Sequence, residues 1–192
     1  MMRHGGRLVG AAVDRSFGLP GEAGSRYREV LGREFSVLTP ENDLKHQRLR
    51  PGRDTYHFER ADSLVAFAQA HGMKVRGHTL VWHRQLAGWL TRGTWSAQET
   101  RDLLTEHITR VAGHYRGKLV AWDVVNEAID DDARRRTSFW ADRIGRDYIE
   151  LAFRAARAAD PNVPLFYNDY NIEGINPKSD STYAMLRDLL QR

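Results

Sequence analysis

The 192-residue sequence contains no cysteine. Disulfides, thiolate metal sites and cysteine nucleophiles are therefore excluded, while the cellular compartment stays open. No apolar run approaches the roughly 18 residues that a membrane-spanning helix needs. The basic start, Met1-Met2-Arg3-His4-Gly5-Gly6, is not followed by a long apolar stretch with a small-residue cleavage site, so no signal peptide is visible. The dinucleotide fingerprint G-x-G-x-x-G, the phosphate loop G-x-x-x-x-G-K-[ST] and the zinc motif H-E-x-x-H are also missing. So are internal repeats and low-complexity segments. Basic residues exceed acidic ones, 29 to 25, for a net charge of +4. They are spread along the chain rather than clustered as a nucleic-acid surface requires. The one tight run, Arg134-Arg135-Arg136, directly follows Asp130-Asp131-Asp132 and reads as a solvated, partly self-neutralised loop. Neither nucleic acid nor membrane is expected as a partner.

What is present is an alternation of two patterns. Short runs rich in β-branched and aromatic residues occur at Arg7 to Val13, Phe35 to Thr39, Met73 to Val81, Leu119 to Val125 and Val163 to Tyr167. Each has the character of a strand. Between them apolar residues recur at helical spacing. Ala61, Leu64, Val65 and Ala68 mark one helix, with Gly72 as its stop signal. Leu104, Ile108, Val111 and Tyr115 mark a second, opened by a Ser96–Glu99 capping box. Ile144, Tyr148, Leu151, Ala152, Ala155 and Ala159 predict a third, ended by Asp160-Pro161. Leu186, Leu189 and Leu190 belong to a last helix opened by Asn176-Pro177. Strands alternating with helices imply parallel pairing and an α/β fold in a single domain. An open doubly wound sheet and a closed (β/α)8 barrel both satisfy that pattern.

The residues with chemical potential sit where the strands end. They are Glu41-Asn42, then His78 and Trp82-His83, then Asn126-Glu127, then Asn168-Asp169-Tyr170-Asn171. Barrel enzymes assemble their sites from the C-terminal ends of several strands. In Trp122-Asp123-Val124-Val125-Asn126-Glu127 an apolar strand delivers an amide and a carboxylate to its end. A carboxyl group among aromatic and amide neighbours loses hydration, which favours the protonated form that a general acid needs. Alone, this motif is equally a surface glutamate at a strand end. His78, Trp82 and His83 supply an indole face for sugar C–H groups and imidazoles for hydroxyls or carboxylates. Their spacing offers no third metal ligand, so no metal is assigned. Glu41, Asn42 and Lys45 place a carboxylate, an amide and an ammonium within five residues, a set that suits hydroxyls or an ordinary loop cap.

Taken together, Thr39-Pro40-Glu41-Asn42, Arg76 to His83, Trp122 to Ala128 and Asn168-Asp169-Tyr170-Asn171 resemble glycoside hydrolase family 10, the barrel xylanases. Weaker matches at Phe58, Ala61-Asp62 and Ile144-Gly145 link them in the family's order. The resemblance implies a (β/α)8 TIM barrel of which residues 1–192 form about the first five βα units, a partial catalytic domain. It implies retaining endo-1,4-β-xylanase activity with no cofactor, xylan and xylo-oligosaccharides as partners, a monomeric full-length enzyme and secretion. It casts Glu127 as the acid/base and Asn126 as the amide holding the 2-hydroxyl of the sugar being cleaved. Glu41, Asn42 and Lys45 match residues that bind xylose units on the non-reducing side. His78 and Trp82 match the wall around the cleaved unit, Gln85 a polar contact there, and Tyr170 an aromatic on the leaving-group side. Two departures stand out: His46, where the family often has an aromatic such as Trp, and Arg84, where a small residue is common.

A retaining glycosidase needs two carboxylates about 5–5.5 Å apart. The Thr-Glu-Leu-Asp type of motif that carries the family's nucleophile does not occur here. The chain alone is therefore expected to be inactive on xylan and, with open strand edges, prone to self-association. A non-catalytic xylo-oligosaccharide-binding half-barrel, an assembly module and a related specificity such as cellobiosides are the competing readings.

Overall fold

The structure, a computed structural model, describes residues 7–192; the basic start Met1–Gly6 lies outside the described residues. Five short strands form the inner layer: β1 (Gly10–Val13), β2 (Val37–Pro40), β3 (Lys74–Val81), β4 (Ala121–Asn126) and β5 (Leu165–Asn168). They pair in parallel in the order β1-β2-β3-β4-β5. A doubly wound sheet would reverse its order at a switch point. The unbroken sequential order instead gives the wall of a (β/α)8 barrel, and helices cover its outer face.

The α-helices are α1 (Gly21–Glu34), α2 (His46–Leu49), α3 (Glu59–Ala70), α4 (Gly88–Arg92), α5 (Ala97–His114), α6 (Phe139–Ile144), α7 (Tyr148–Ala159) and α8 (Pro177–Leu190), of which α3, α5 and α7 pack on the strands. The expected capping box opens α5: Glu99 N–H donates to Ser96 Oγ at 3.2 Å, and Ser96 N–H donates to Glu99 Oε2 at 2.8 Å. A side-chain cap of this kind is worth about 1 kcal/mol. Asn176 and Ser179 repeat the device at α8, with Pro177 at its first turn, where a missing N–H costs nothing. Gly72 adopts φ +65° just beyond α3, which makes it the stop that its position suggests.

One expectation needs correction. Ile144 does not open the helix of Tyr148 to Ala159; it ends the separate helix α6, capped by Ser138. Gly145, at φ +83°, breaks the run between them, a backbone state that glycine adopts without cost. Helix α1 was not foreseen at all. It contains three glycines and buries only Gly24 and Leu31, so its apolar stripe is too thin to read.

The core lies between strands and helices. All six residues of β4 are buried. Trp122, fully buried, packs so closely over Gly77 that a Cβ there would lie 2.2 Å from the indole. Only glycine permits that approach of β3 to β4. Trp140, Leu104, Ile108 and Val111 extend the core outward, and α5 packs along α7. No residue of β5 is buried, and Phe153, Leu165, Phe166, Leu186, Leu189 and Leu190 line an open apolar groove between β5, α7 and α8.

Candidate active site

Parallel strands in register bring their C-terminal ends to one rim, and the predicted polar residues meet there. Glu127 follows β4 directly. Its N–H donates to Asn168 O at 2.9 Å, which continues the β4–β5 ladder for one more bond. The backbone then turns sharply, with Glu127 at φ +55°. A non-glycine residue in that region costs on the order of 1 kcal/mol and is held there only by its surroundings.

The Glu127 carboxylate has two fixed donors. Trp82 Nε1–H reaches Oε2 at 3.0 Å, and Asn126 Nδ2 reaches Oε1 at 3.1 Å. Asn126 is itself oriented by Asn168 Nδ2, which donates to its Oδ1 at 2.8 Å. The carboxyl side chain is 21% exposed, so one face remains open to a ligand. His83 Nδ1 lies 4.0 Å from Oε2, beyond hydrogen-bond range. Burial, helped by the charge of Arg136, pushes the His83 imidazole down to about 4, so it stays neutral near pH 7 and forms no ion pair with Glu127.

Glu41, Asn42, Lys45 and Gln85 form the neighbouring part of the rim. Lys45 Nζ and Gln85 Nε2 both donate to Asn42 Oδ1, at 3.2 and 3.1 Å. Asn42 Nδ2 donates to Glu41 Oε1 at 3.4 Å. The Lys45 ammonium sits 4.5 Å from the Trp82 ring centroid, a cation–π contact that joins this group to Glu127's partner. Burial lowers the pKa of Lys45 against the opposing fields of Glu41 and Glu127. Gln85 takes a left-handed backbone, φ +50°, like Glu127. The group is a chain of donors and acceptors beside an aromatic face, the chemistry that recognises sugar hydroxyls and the C–H face of the ring.

His78 faces inward. Its Nδ1 lies 3.0 Å from Asp123 Oδ2, and Arg76 grips the same carboxylate through Nε, at 3.2 Å, and Nη2. Burial alone would raise the Asp123 pKa, but the bonds from His78 and Arg76 outweigh it and hold the carboxyl below its usual range. The contact through Nδ1 fixes the orientation of the ring and leaves its Nε2 edge for another partner. Tyr170 is exposed. Its hydroxyl accepts from Arg136 Nη2 at 3.3 Å, and its ring covers the Lys178 ammonium.

All nine predicted site residues thus lie along the ends of β2 to β5 and the loops that follow them. Several companions went unassigned: Asp123, Arg76, Asn168, Tyr167, Arg136 and Lys178. Asp123 carried a readable signal, because a charge inside an apolar strand requires a partner. Arg136 contradicts the solvated-loop reading of its run, since it donates into the site's backbone. His46 offers no sugar surface either. It is buried against Trp89, His107 and Trp140 and accepts the Ala87 N–H at 3.2 Å. Arg84 is exposed. Among the described residues no group of three or more His, Asp or Glu is placed to hold a metal ion.

Comparison with known proteins adds an independent line. The family model for glycosyl hydrolase family 10 matches residues 1–192. Endo-1,4-beta-xylanase B of Thermotoga neapolitana is 46% identical over 184 residues, which is 96% of this chain and 53% of that protein. Beta-1,4-xylanase of Dictyoglomus thermophilum is 46% identical over 166 residues, 85% of this chain and 46% of that protein. The crystal structure of xylanase 10B from Thermotoga petrophila in complex with xylobiose superposes with a TM-score of 0.90 at 44% identity, covering 95% of this chain and 55% of that one. The chain spans about half the length of the relatives it matches.

Proposed function

The chain belongs to glycosyl hydrolase family 10, and from that membership we propose that it is the acid/base-bearing part of a retaining endo-1,4-β-xylanase. The observation that carries this reading is Glu127: a single, partly exposed carboxylate at the end of the most buried strand, held by an indole N–H and a carboxamide. In the complete reaction Glu127 protonates the glycosidic oxygen as a second carboxylate attacks the anomeric carbon. Glu127 then deprotonates water, which releases the sugar with its configuration retained. Asn126 bonds the 2-hydroxyl beside the anomeric centre. Glu41, Asn42, Lys45 and Gln85 bind xylose on the non-reducing side, His78 and Trp82 wall the cleaved unit, and Tyr170 meets the leaving group.

The relatives' activity supports xylan as the substrate class, and the hydroxyl-binding chain beside Trp82 fits it. Turnover requires the second carboxylate, so the 192-residue polypeptide by itself binds xylo-oligosaccharides with little hydrolysis. The open groove beside β5 supports self-association of this polypeptide, to be read by sedimentation velocity. The sugar reading is tested by titration calorimetry with xylotriose and cellotriose. Xylotriose binds the chain more tightly than cellotriose, and Asn42→Ala weakens it about tenfold, the cost of leaving buried hydrogen-bond partners unpaired. Equal affinity for both sugars, or an unaffected Asn42→Ala variant, contradicts the assignment.

A further inference from the structure

Three residues follow β4 in a strained turn, and none of their six backbone polar atoms is left without a partner. Glu127 N–H reaches Asn168 O, and the Ala128 carbonyl accepts the Arg136 N–H at 2.8 Å. Two side chains satisfy the other four. Arg136 Nε donates to Glu127 O at 2.8 Å, and its Nη2 donates to Ile129 O at 3.1 Å. The Tyr167 hydroxyl accepts both the Ala128 N–H at 2.9 Å and the Ile129 N–H at 3.2 Å. One guanidinium therefore holds the carbonyls and one phenol holds the amides.

The phenol is itself fixed. Tyr167 donates its proton to Asp169, whose side chain is fully buried. Asp169 is paired with Lys178 Nζ at 3.0 Å, and Lys178, on α8, is only 5% exposed. The arrangement uses every capacity of the hydroxyl, one donor and two acceptors. Burial, then the neighbouring Asp169, raises the Tyr167 pKa, so the phenol keeps its proton throughout the neutral range. Arg136 closes the circuit through the Tyr170 hydroxyl.

Resting on the acid/base role proposed for Glu127, we infer that Arg136 and Tyr167 are its positioning residues: they pin the turn from the left-handed Glu127 to Ile129 by its backbone and thereby fix where the carboxylate lies against Trp82 and Asn126. A surface role would not need a two-carbonyl grip from one guanidinium, nor a buried lysine–aspartate pair behind one hydroxyl. Lysine has a compact ammonium in place of the planar fork. Arg136→Lys therefore keeps the charge and loses the paired hydrogen bonds to the two carbonyls.

The reporter is the Trp82 indole Nε1–H, which donates to Glu127 Oε2. Its proton–nitrogen NMR resonance is assigned with Trp82→Phe, and its sensitivity to the carboxylate is calibrated with Glu127→Gln. In the full chain, Tyr167→Phe and Arg136→Lys each move this resonance toward the position it takes without the carboxylate bond. Tyr167→Phe also speeds hydrogen exchange at the Ala128 and Ile129 amides about tenfold or more, the loss of a buried hydrogen bond, while β1 and β2 amides hold their wild-type rates. A Trp82 resonance unmoved in either folded variant overturns the inference. So do fast-exchanging Ala128 and Ile129 amides in the wild type, a readout that needs no variant. Neither measurement uses sugar, so a failure of the xylan reading appears in the xylotriose titration and a failure of the clamp appears here.

Discussion

Strands β4 and β5 are neighbours in register, yet they live in different environments. Every residue of β4 is buried, and none of β5 is. Trp122 in β4 is fully enclosed, whereas Phe166, paired opposite Asp123 on β5, is 42% exposed. Glu127, the proposed acid/base, follows the end of the enclosed strand. The edge strand instead contributes side chains that act on its neighbour: Asn168 orients Asn126, and Tyr167 holds Ala128 and Ile129. Placing the proposed acid/base directly after the most constrained strand fixes its geometry. The partly open strand then serves as a brace.

That contrast can be broken at several points. Trp122→Ala removes the largest enclosed side chain and costs about 3–5 kcal/mol in denaturant unfolding, with a lower midpoint and an unchanged slope. A loss near that of an exposed residue would show that β4 is not the structural centre.

The enclosed side also carries pH sensitivity. His46 is pushed down to about 3 by burial and then by Arg50, and His107, fully buried, lies well below 6.5 for the same first reason. A folded value below the unfolded one means that the unfolded chain binds the extra protons. Stability is therefore complete above about pH 6.5 and falls as pH drops toward 3. Each histidine adds a slope approaching about 1.4 kcal/mol per pH unit. Unfolding midpoints taken from pH 7 to 4.5 should show that decline, and His107→Leu should flatten it. A flat profile in the parent chain would contradict the buried neutral pair.

Smaller is the effect of Gly77→Ala, where the new methyl meets the Trp122 indole. Overpacking of this kind costs about 1–3 kcal/mol, and near-ultraviolet circular dichroism should report the displaced ring. Smallest is Phe166→Ala, at less than about 1 kcal/mol for a half-exposed side chain on an edge strand. A loss equal to that of Trp122→Ala would erase the distinction between the two strands.

Much of this contrast was legible beforehand, for local reasons. Strand runs, capping signals at Ser96 and Asn176, and polar residues gathered at strand ends all depend on neighbours in sequence. Asn126-Glu127 and Glu41-Asn42 were therefore visible, and the convergence of strand ends follows from parallel pairing. What could not be read were partnerships across the chain. The bond between Lys178 and Asp169, or that between Tyr167 and Ala128, depends on which loop folds over which. The Asp130 to Arg136 stretch was misleading because its charges balance locally. Its last arginine has turned inward to hold two carbonyls instead. Helix α1 was missed because glycines diluted its pattern, and α6 was merged with α7 because apolar spacing ran across the glycine that separates them.

The most direct test of the central claim is reducing-sugar release from xylan by the purified 192-residue chain, wild type beside Glu127→Gln, with xylotriose binding measured on both. The account predicts that both bind xylotriose and that neither releases sugar at an enzymatic rate, because the proposed retaining reaction needs a second carboxylate about 5–5.5 Å from Glu127. Rapid release by the wild type that disappears in Glu127→Gln would confirm Glu127 but contradict the missing partner. Rapid release by both would contradict the role assigned to Glu127.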